Sequence, residues 1–252
     1  MAIVTTGAVL LRSHPYSETS LVLRFFTELM GVVGVMAKGS RRGGSRTGSW
    51  FETFAGGPLT LYVKDGRELQ TLRDFSPTRP RRGLARNLIR FGGASAVAEL
   101  VLRHGGEAPA PALFAVLEDA LDGIDRTSDS DALSTVLAAG WGVVAVLGYH
   151  PLLECCVACD RTIDAHEVGR FDLEAGGIRC EPCSVGRSGP RVGPGARRQL
   201  RGLLSNEAGL LTRPRAHLQL LSDFVTYHVS GGRPLESFRF LASLLPSDPE
   251  EP

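Results

Sequence analysis

The chain has 252 residues, of which 43% are hydrophobic and 22% are charged. This is the composition of an ordinary globular protein, and the length suits two or three small domains better than one. The sequence contains no run of 18 apolar residues, and its most apolar stretch, residues 133–148, is short and glycine-rich, which favours a buried helix over a transmembrane span. The first residues lack the basic start and the small-residue cleavage site of a signal peptide, so we predict a cytoplasmic, nucleoid-associated protein.

The overall charge of +1 conceals two oppositely charged parts. Residues 1–90 contain 14 Lys or Arg and 6 Asp or Glu, a net charge of +8, whereas residues 91–252 contain 14 basic and 21 acidic residues, a net charge of −7. This asymmetry is typical of a polyanion-binding module joined to a separate scaffold. A charged surface with no partner gives the same counts, so charge alone leaves both interpretations open.

The N-terminal part is predicted to consist of β-strands. Its apolar and β-branched runs are separated by turn residues, and Asp65-Gly66 is a strong hairpin signal. The expected strands cover residues 3–12, 19–27, 32–38, 58–64 and 68–75. Five short strands with glycine-rich connections predict a small closed barrel of the OB type, a nucleic-acid-binding domain over residues 1–79.

The rest of the chain is predicted to be mainly helical, which makes the fold α+β. A helical domain over residues 80–150 is expected to contain helices at 81–103, 112–124 and 131–147, with Asp131 as a possible cap of the third. A cysteine-containing module is expected over 151–190, and C-terminal helices at 196–204, 215–229 and 235–245 complete the helical domain over 191–246. The last residues, 247–252, are predicted to be a disordered tail.

Four cysteines form two C-x-x-C pairs, Cys156/Cys159 and Cys180/Cys183, which are 20 residues apart. Each pair offers two thiolates from one tight turn, and four thiolates form a closed tetrahedral site, so the spacing predicts one structural Zn²⁺ without an open catalytic position. Disulfides are disfavoured in the cytoplasm, and a redox pair needs only one C-x-x-C. Cys155 is an alternative to Cys156, but its x3 spacing makes it the spare thiol.

Two basic stretches are predicted to contact nucleic acid. The first is a glycine-rich loop that follows a strand, together with arginines just after the barrel, and the second is an arginine cluster that follows the cysteine module. Arginine donates paired hydrogen bonds to phosphate, and glycine lets the backbone approach closely. The candidates are Lys38, Arg41, Arg42, Arg46, Arg79, Arg81 and Arg82 in the first stretch, and Arg197, Arg198 and Arg201 in the second. A solvated turn and a solvated helix face are the alternatives.

Aromatic residues near the first stretch have two possible roles. Tyr16, Trp50, Phe51 and Phe54 are able to stack on unpaired bases, or they fill the core of the barrel. The sequence has no Walker loop, no G-x-G-x-x-G, no H-E-x-x-H and no G-x-S-x-G, so no enzymatic activity is expected. Without those motifs, the alternative to a DNA-binding protein is a zinc-stabilised adaptor that contacts only other proteins.

Three segments resemble the bacterial recombination mediator family RecO. They are GAVLLRSHPYSETSLVLRFFTELMGVVGVMAKGSRR near the N-terminus, LGYHPLLECCVAC followed by GGIRCEPC, and FVTYHVSGGRPLESFRFL near the C-terminus. The resemblance implies an OB barrel, a helical domain and a zinc-binding insertion. It also implies a protein that binds single- and double-stranded DNA, anneals complementary strands and, with RecR and the C-terminal tail of single-strand-binding protein as partners, loads RecA onto covered single strands.

Residue by residue, the resemblance assigns the metal to Cys156, Cys159, Cys180 and Cys183. It assigns DNA contact to the basic loop at Lys38, Arg41 and Arg42. The sequence departs from the family pattern at Cys155, where a charged residue is commoner, and at residues 43–46, where lysines and prolines are commoner. The second departure bears on the detailed contacts of the loop.

Overall fold

A computed structural model describes residues 1–40, 51–207 and 209–248 of the chain. Its N-terminal part is a closed five-stranded barrel with the strand order β1-β2-β3-β5-β4. All neighbouring strands are antiparallel except β3 and β5, which are parallel. The strands are β1 (Ala2–Pro15), β2 (Leu21–Thr27), β3 (Gly31–Ala37), β4 (Gly56–Val63) and β5 (Leu69–Phe75). The predicted OB-type barrel and its five strands are therefore confirmed.

Successive side chains along the strands point alternately into the barrel and out of it, and they belong to two different hydrophobic cores. Leu23 and Phe25 of β2 point into the barrel, where the Phe25 ring meets Phe75 edge-on at 5.0 Å between ring centroids. Phe26 points outward, together with Val9 of β1, and belongs to the core that the helices form. The outer face of the barrel is thus partly covered by helices, and the barrel does not stand apart from them.

The central helices are α1 (Leu88–His104), α2 (Pro111–Arg126) and α3 (Ala132–Val146). The first begins seven residues later than the sequence predicted, because residues 84–86 form a short 3-10 helix and Asn87 is extended. The Asn87 side chain accepts hydrogen bonds from the backbone N–H groups of Ile89 and Arg90, which makes it the true cap of α1. Helices α1 and α3 pack so closely that a Cβ atom at Gly93 would lie 2.1 Å from a methyl group of Val136.

The expected cap of α3 is wrong. Asp131 occupies the position before the helix, but its side chain makes no capping hydrogen bond. Its carboxylate instead accepts a hydrogen bond of 2.6 Å from the Ser128 hydroxyl, within the preceding turn. An Asx side chain that finds a partner in its own turn is not available to the helix.

The cysteine module follows α3 and contains a three-stranded sheet with the order β7-β6-β8. Its strands are β6 (Gly169–Asp172), β7 (Gly177–Arg179) and β8 (Arg191–Val192). Phe171 and Ile178 are fully buried and join the core of the helices. The module therefore rests on the helical core through one apolar face of a very small sheet.

Three helices complete the fold: α4 (Pro194–Leu204), α5 (Pro214–Phe224) with a π-helical turn at Val225–Val229, and α6 (Glu236–Leu244). Asp248 falls in the segment for which a disordered tail is expected. Its carboxylate accepts hydrogen bonds of 3.0 and 2.7 Å from the backbone N–H groups of Arg215 and Ala216, at the start of α5. Within the described residues, none of these helices combines the length and apolar character required to cross a membrane.

Candidate metal centre and nucleic-acid interface

The first pair of cysteines lies on a tight turn enclosed by a short two-stranded bridge. Cys155 pairs with Thr162 across the bridge, and the Cys156 N–H donates to the carbonyl of Arg161 at 2.8 Å. The turn closes where the Asp160 N–H donates to the carbonyl of Cys156 at 2.9 Å, with Asp160 in the left-handed region at φ 56°. This conformation folds Cys156 and Cys159 onto one side of the turn.

The second pair follows strand β7 directly. Cys180 is the first residue after β7, and Cys183 lies in the 3-10 turn Pro182–Ser184. The Ser184 hydroxyl donates to the carbonyl of Cys180 at 2.8 Å and holds this turn against the end of the strand. A strand end and a tight turn thus present two sulfurs toward the first pair.

All four Sγ atoms lie within 4.8 Å of one another, and those of Cys159 and Cys180 are 3.8 Å apart. A tetrahedral zinc ion with Zn–S bonds of ~2.3 Å requires S–S separations of roughly 3.8 Å, so the cluster has the dimensions of a zinc site. Cys156 and Cys180 are buried, Cys183 is half-buried and Cys159 is exposed. The donor set therefore fits one structural Zn²⁺.

Backbone amides favour the thiolate form of Cys156. Burial raises the pKa of this thiol, but hydrogen bonds from the N–H groups of Cys180, Ala158 and Cys159 and from the Cys180 thiol together outweigh burial and hold the pKa at about 6. The N–H groups of Cys180 and Ala158 lie 3.3 and 3.4 Å from the sulfur. Hydrogen bonds with the thiols of Cys180 and Cys159 raise the pKa of Cys183 to about 12. Four neighbouring sulfurs do not all ionise without a cation, and a bound dication removes that obstacle.

An ion pair that the sequence analysis missed braces the site. The Arg161 guanidinium lies 2.6 Å from the Glu167 carboxylate, which also accepts the Glu181 N–H at 2.9 Å. The hydrogen bond from Arg161, followed by that from the Glu181 amide, lowers the pKa of Glu167 to about 2. Glu167 thereby links the turn after the first cysteine pair to the turn that carries the second. No sequence motif marks it, because its partners are 6 and 14 residues away.

The spare thiol remains outside the cluster. Cys155 is exposed and is not among the grouped ligand atoms, in keeping with its x3 spacing. The four-cysteine group is the one His/Cys/Asp/Glu cluster within the described ranges that has metal-binding dimensions.

The predicted DNA-contacting residues of the barrel have different surroundings. Lys38 is exposed in the turn that follows β3, and Arg82 is exposed beside a surface cavity of about 290 Å³. Arg41, Arg42 and Arg46 lie outside the described residues, as does Trp50. Among the described residues of this predicted set, Lys38, Arg82 and the ion-paired Arg79 are therefore the exposed cations.

Arg81 is buried, with only 2% of its side chain exposed. Its guanidinium contacts Glu118 at 2.7 Å and Asp122 at 2.6 Å on α2, and donates to the carbonyl of Phe54 at 2.8 Å. Arg79 also pairs with Glu118. These bonds join the barrel to α2 and engage every nitrogen of the Arg81 guanidinium, so we leave Arg81 out of the proposed interface, whereas the Arg79 side chain is 52% exposed.

The arginines of the second basic stretch also differ in exposure. Arg197 is 1% exposed and donates to the carbonyl of Asp164, which fastens α4 to the cysteine module. Arg198 is exposed, and Arg201 is half-exposed with an ion pair of 2.5 Å to Glu154. Only Arg198 and Arg201 are positioned to meet a ligand in solvent.

The aromatic candidates prove to be mostly core. Phe54 is 3% exposed, and Phe51 stacks on Phe75 with ring centroids 6.4 Å apart. Tyr16 is 69% exposed in the turn between β1 and β2. Tyr16 is therefore accessible to a ligand in solvent, whereas Phe51 and Phe54 have packing roles.

Two family models match the chain, "Recombination protein O N terminal" over residues 1–81 and "Recombination protein O C terminal" over residues 85–237. A DNA repair protein RecO from Geobacter metallireducens is 31% identical over 247 residues, which cover 96% of this chain and 98% of the relative. One from Desulfatibacillum aliphaticivorans is 29% identical over 258 residues, with coverages of 96% and 97%. Another, from Rubrobacter xylanophilus, is 32% identical over 185 residues, with coverages of 73% and 72%. The similarity therefore spans the barrel, the helices and the cysteine module.

Proposed function

Because the chain belongs to the RecO family of DNA repair and recombination proteins, we propose that it is a non-catalytic, DNA-binding recombination mediator. In this role it binds single- and double-stranded DNA and anneals complementary strands without ATP. With RecR, it helps to load RecA onto single strands covered by single-strand-binding protein, whose C-terminal tail is its other proposed protein contact.

One observation carries the proposal: the excess positive charge lies in the N-terminal segment that contains the barrel and the arginines that follow it. Residues 1–90 have a net charge of +8, of which residues 1–75 with the barrel strands contribute +3 and the five arginines of residues 76–90 contribute +5. Lys38, in the turn after β3, and Arg82, just after the barrel, are exposed. Cations on a barrel surface bind phosphates and release counterions, which gives affinity with little dependence on base sequence.

The exposed arginines of α4 support a second contact. Arg198 and Arg201 lie beyond the cysteine module, in a separate region of the sequence from the barrel. Two basic surfaces on one chain would let it hold two strands at once and reduce their mutual repulsion. Annealing needs this effect and no chemical step.

The metal has a structural role in this proposal. Cys156, Cys159, Cys180 and Cys183 would hold one Zn²⁺, which supplies cross-linking of two turns and no reactive position, because four thiolates fill its coordination sphere. The module has a small sheet and few apolar residues of its own, so metal binding would provide much of its folding free energy.

The test is a fluorescence-anisotropy titration of the zinc-loaded protein with a labelled 25-mer and the matching duplex, at several salt concentrations. We expect binding to both, with affinity that falls steeply as salt rises. Annealing of two complementary 60-mers is then followed by energy transfer, with and without ATP, and equal rates are expected. If neither DNA binds at 50 mM salt, the proposal fails, and an adaptor that contacts only proteins replaces it.

A further inference from the structure

Two arginines face each other across neighbouring strands of the barrel. Arg12 of β1 and Arg24 of β2 are register partners, next to the irregularity that shifts β1 between Leu10 and Arg12. Directly opposed like charges destabilise a strand pair. Neither side chain forms an ion pair within 4.0 Å in the described part of the chain. Both guanidinium groups therefore lack an ion-pair partner among the described residues.

Strand β3, which neighbours β2, leaves room for the Arg24 side chain. A Cβ atom at Gly34 of β3 would lie 3.3 Å from a guanidinium nitrogen of Arg24, so this side chain lies across a glycine. Arg24 is half-buried and Arg12 is exposed. Irregularities in a strand re-aim the side chains beside them, and they are common near binding sites.

Arg12 also lines a cleft between the barrel and α1. The cleft has a volume of about 440 Å³, within the range of roughly 300–1,000 Å³ of small-molecule sites. Its wall includes Phe91 of α1, which is 43% exposed, and Phe54, whose ring meets Phe91 edge-on at 5.7 Å. An exposed phenyl face is thus held rigidly on the wall of a cleft whose rim has an unpaired cation.

The acidic groups of the cleft already have partners. Glu99 lies 2.6 Å from Arg103 and accepts the N–H of Ser237 at 3.0 Å, and Glu236 lies 3.2 Å from Arg239. The cation left over is Arg12, which favours an anionic ligand with a flat apolar group. Of the macromolecules that fit this description, a single strand of nucleic acid matches best, because its phosphates and its unpaired bases alternate.

We propose that this cleft binds one unpaired nucleotide of a single strand, with its phosphate on Arg12 and the base stacked on Phe91, while Arg24, which lies over Gly34 of β3 outside the cleft, meets the next phosphate of the strand. The site rests on the proposed DNA-binding function, and it gives that function a preference for unpaired bases. A base within a duplex is stacked and paired and does not reach Phe91. The barrel–helix junction, and not only the basic loop, thus lies on the path of the strand.

The experiment compares zinc-loaded wild type with Phe91→Ala, Phe91→Leu and the double variant Arg12→Gln/Arg24→Gln. The probes are fluorescein-labelled dT25, an oligonucleotide of equal length with abasic sites throughout, and a 25-bp duplex. Removing Phe91 should weaken dT25 binding at least about fivefold, from the usual value of one base–aromatic stack, and should leave the abasic and duplex affinities unchanged. The double variant should lower the salt slope for dT25 by about 1.4, at ~0.7 for each phosphate.

Two control variants match these changes. Phe240→Ala removes an aromatic side chain of α6 that is 42% exposed, and Arg86→Gln/Arg126→Gln removes two exposed positive charges away from the cleft. Both control variants should bind dT25 almost as wild type does. The variant Phe91→Leu keeps a large apolar side chain at this position and so controls for a folding defect in Phe91→Ala. If wild type binds dT25 and the Phe91 variants bind it equally well, the cleft holds no base and the inference is overturned. Absence of binding by wild type would overturn the proposed function as well.

Discussion

Replacing Arg81 with methionine should destabilise the protein by about 3 kcal/mol. The change removes the cation that contacts Glu118 and Asp122, and these carboxylates are only 13% and 22% exposed. Breaking a buried ion pair by removing one partner costs roughly 3–5 kcal/mol, and the residual exposure of the two acids places this case at the lower end. The carbonyl of Phe54 also loses a donor.

The assay is urea and thermal denaturation of the zinc-loaded protein. A loss of about 3 kcal/mol corresponds to a fall in Tm of roughly 6–12 °C for a chain of this size. The control is Arg79→Met, which removes another partner of Glu118. Since the Arg79 side chain is 52% exposed, its ion pair should contribute no more than about 1 kcal/mol.

A compensated variant makes the prediction sharper. Adding Glu118→Gln and Asp122→Asn to Arg81→Met removes the charges that were left unpaired, so part of the lost stability should return. If Arg81→Met is as stable as Arg79→Met, the buried network does not join the barrel to α2 energetically. Loss of DNA affinity with unchanged stability would instead mean that Arg81 contacts phosphate.

Three further predictions concern the metal, the basic loop and a buried histidine. Changing Cys180 and Cys183 together to serine should release zinc and lower the unfolding midpoint of the C-terminal half, because metal binding and folding are coupled there. Changing Arg41 and Arg42 together to alanine should weaken binding to all DNA sequences equally and reduce the salt slope by about 1.4–1.8, with zinc content unchanged. Burial, opposed by the nearby Asp248 charge, lowers the pKa of His217 below 6.5. The neutral imidazole of His217 is therefore favoured in the folded state. Its contribution to stability is complete above pH 6.5 and is lost as the pH falls. The variant His217→Gln should therefore show a smaller decline in urea midpoint between pH 7.5 and 5.5 than wild type.

Each of these predictions has a result that contradicts it. Full retention of zinc by the double serine variant would rule out the four-cysteine site. Unchanged affinity and salt slope in the loop variant would leave the loop as a solvated turn and make Arg198 and Arg201 the leading surface. An identical pH dependence in wild type and His217→Gln would show that other groups control acid stability.

Local sequence patterns were sufficient to predict those parts of the structure that depend on residues close together in the chain. Alternation and the Asp65-Gly66 turn located the strands of the barrel, and the C-x-x-C spacing identified the four grouped cysteines. The start of α1 was predicted too early, although Asn87 carried a usable capping signal. Periodicity extended the helix through residues 81–87, because a pattern of apolar residues does not distinguish a 3-10 turn from a helix.

The sequence by itself determined the five-stranded barrel, the helical scaffold, the four cysteines that the fold groups together and the excess of positive charge at the N-terminus. Tertiary structure alone decided which cations are accessible. Arg81 and Arg82 are adjacent and chemically identical, yet one is enclosed by the carboxylates of α2 and the other is exposed. Arg197 and Arg198 on α4 differ in the same way, because the first is buried and the second is exposed. A cationic side chain is available to phosphate only if no acidic group of the protein already pairs with it. The acidic partners of Arg81 lie about 40 positions away in the sequence. No local pattern in one sequence carries information over that separation.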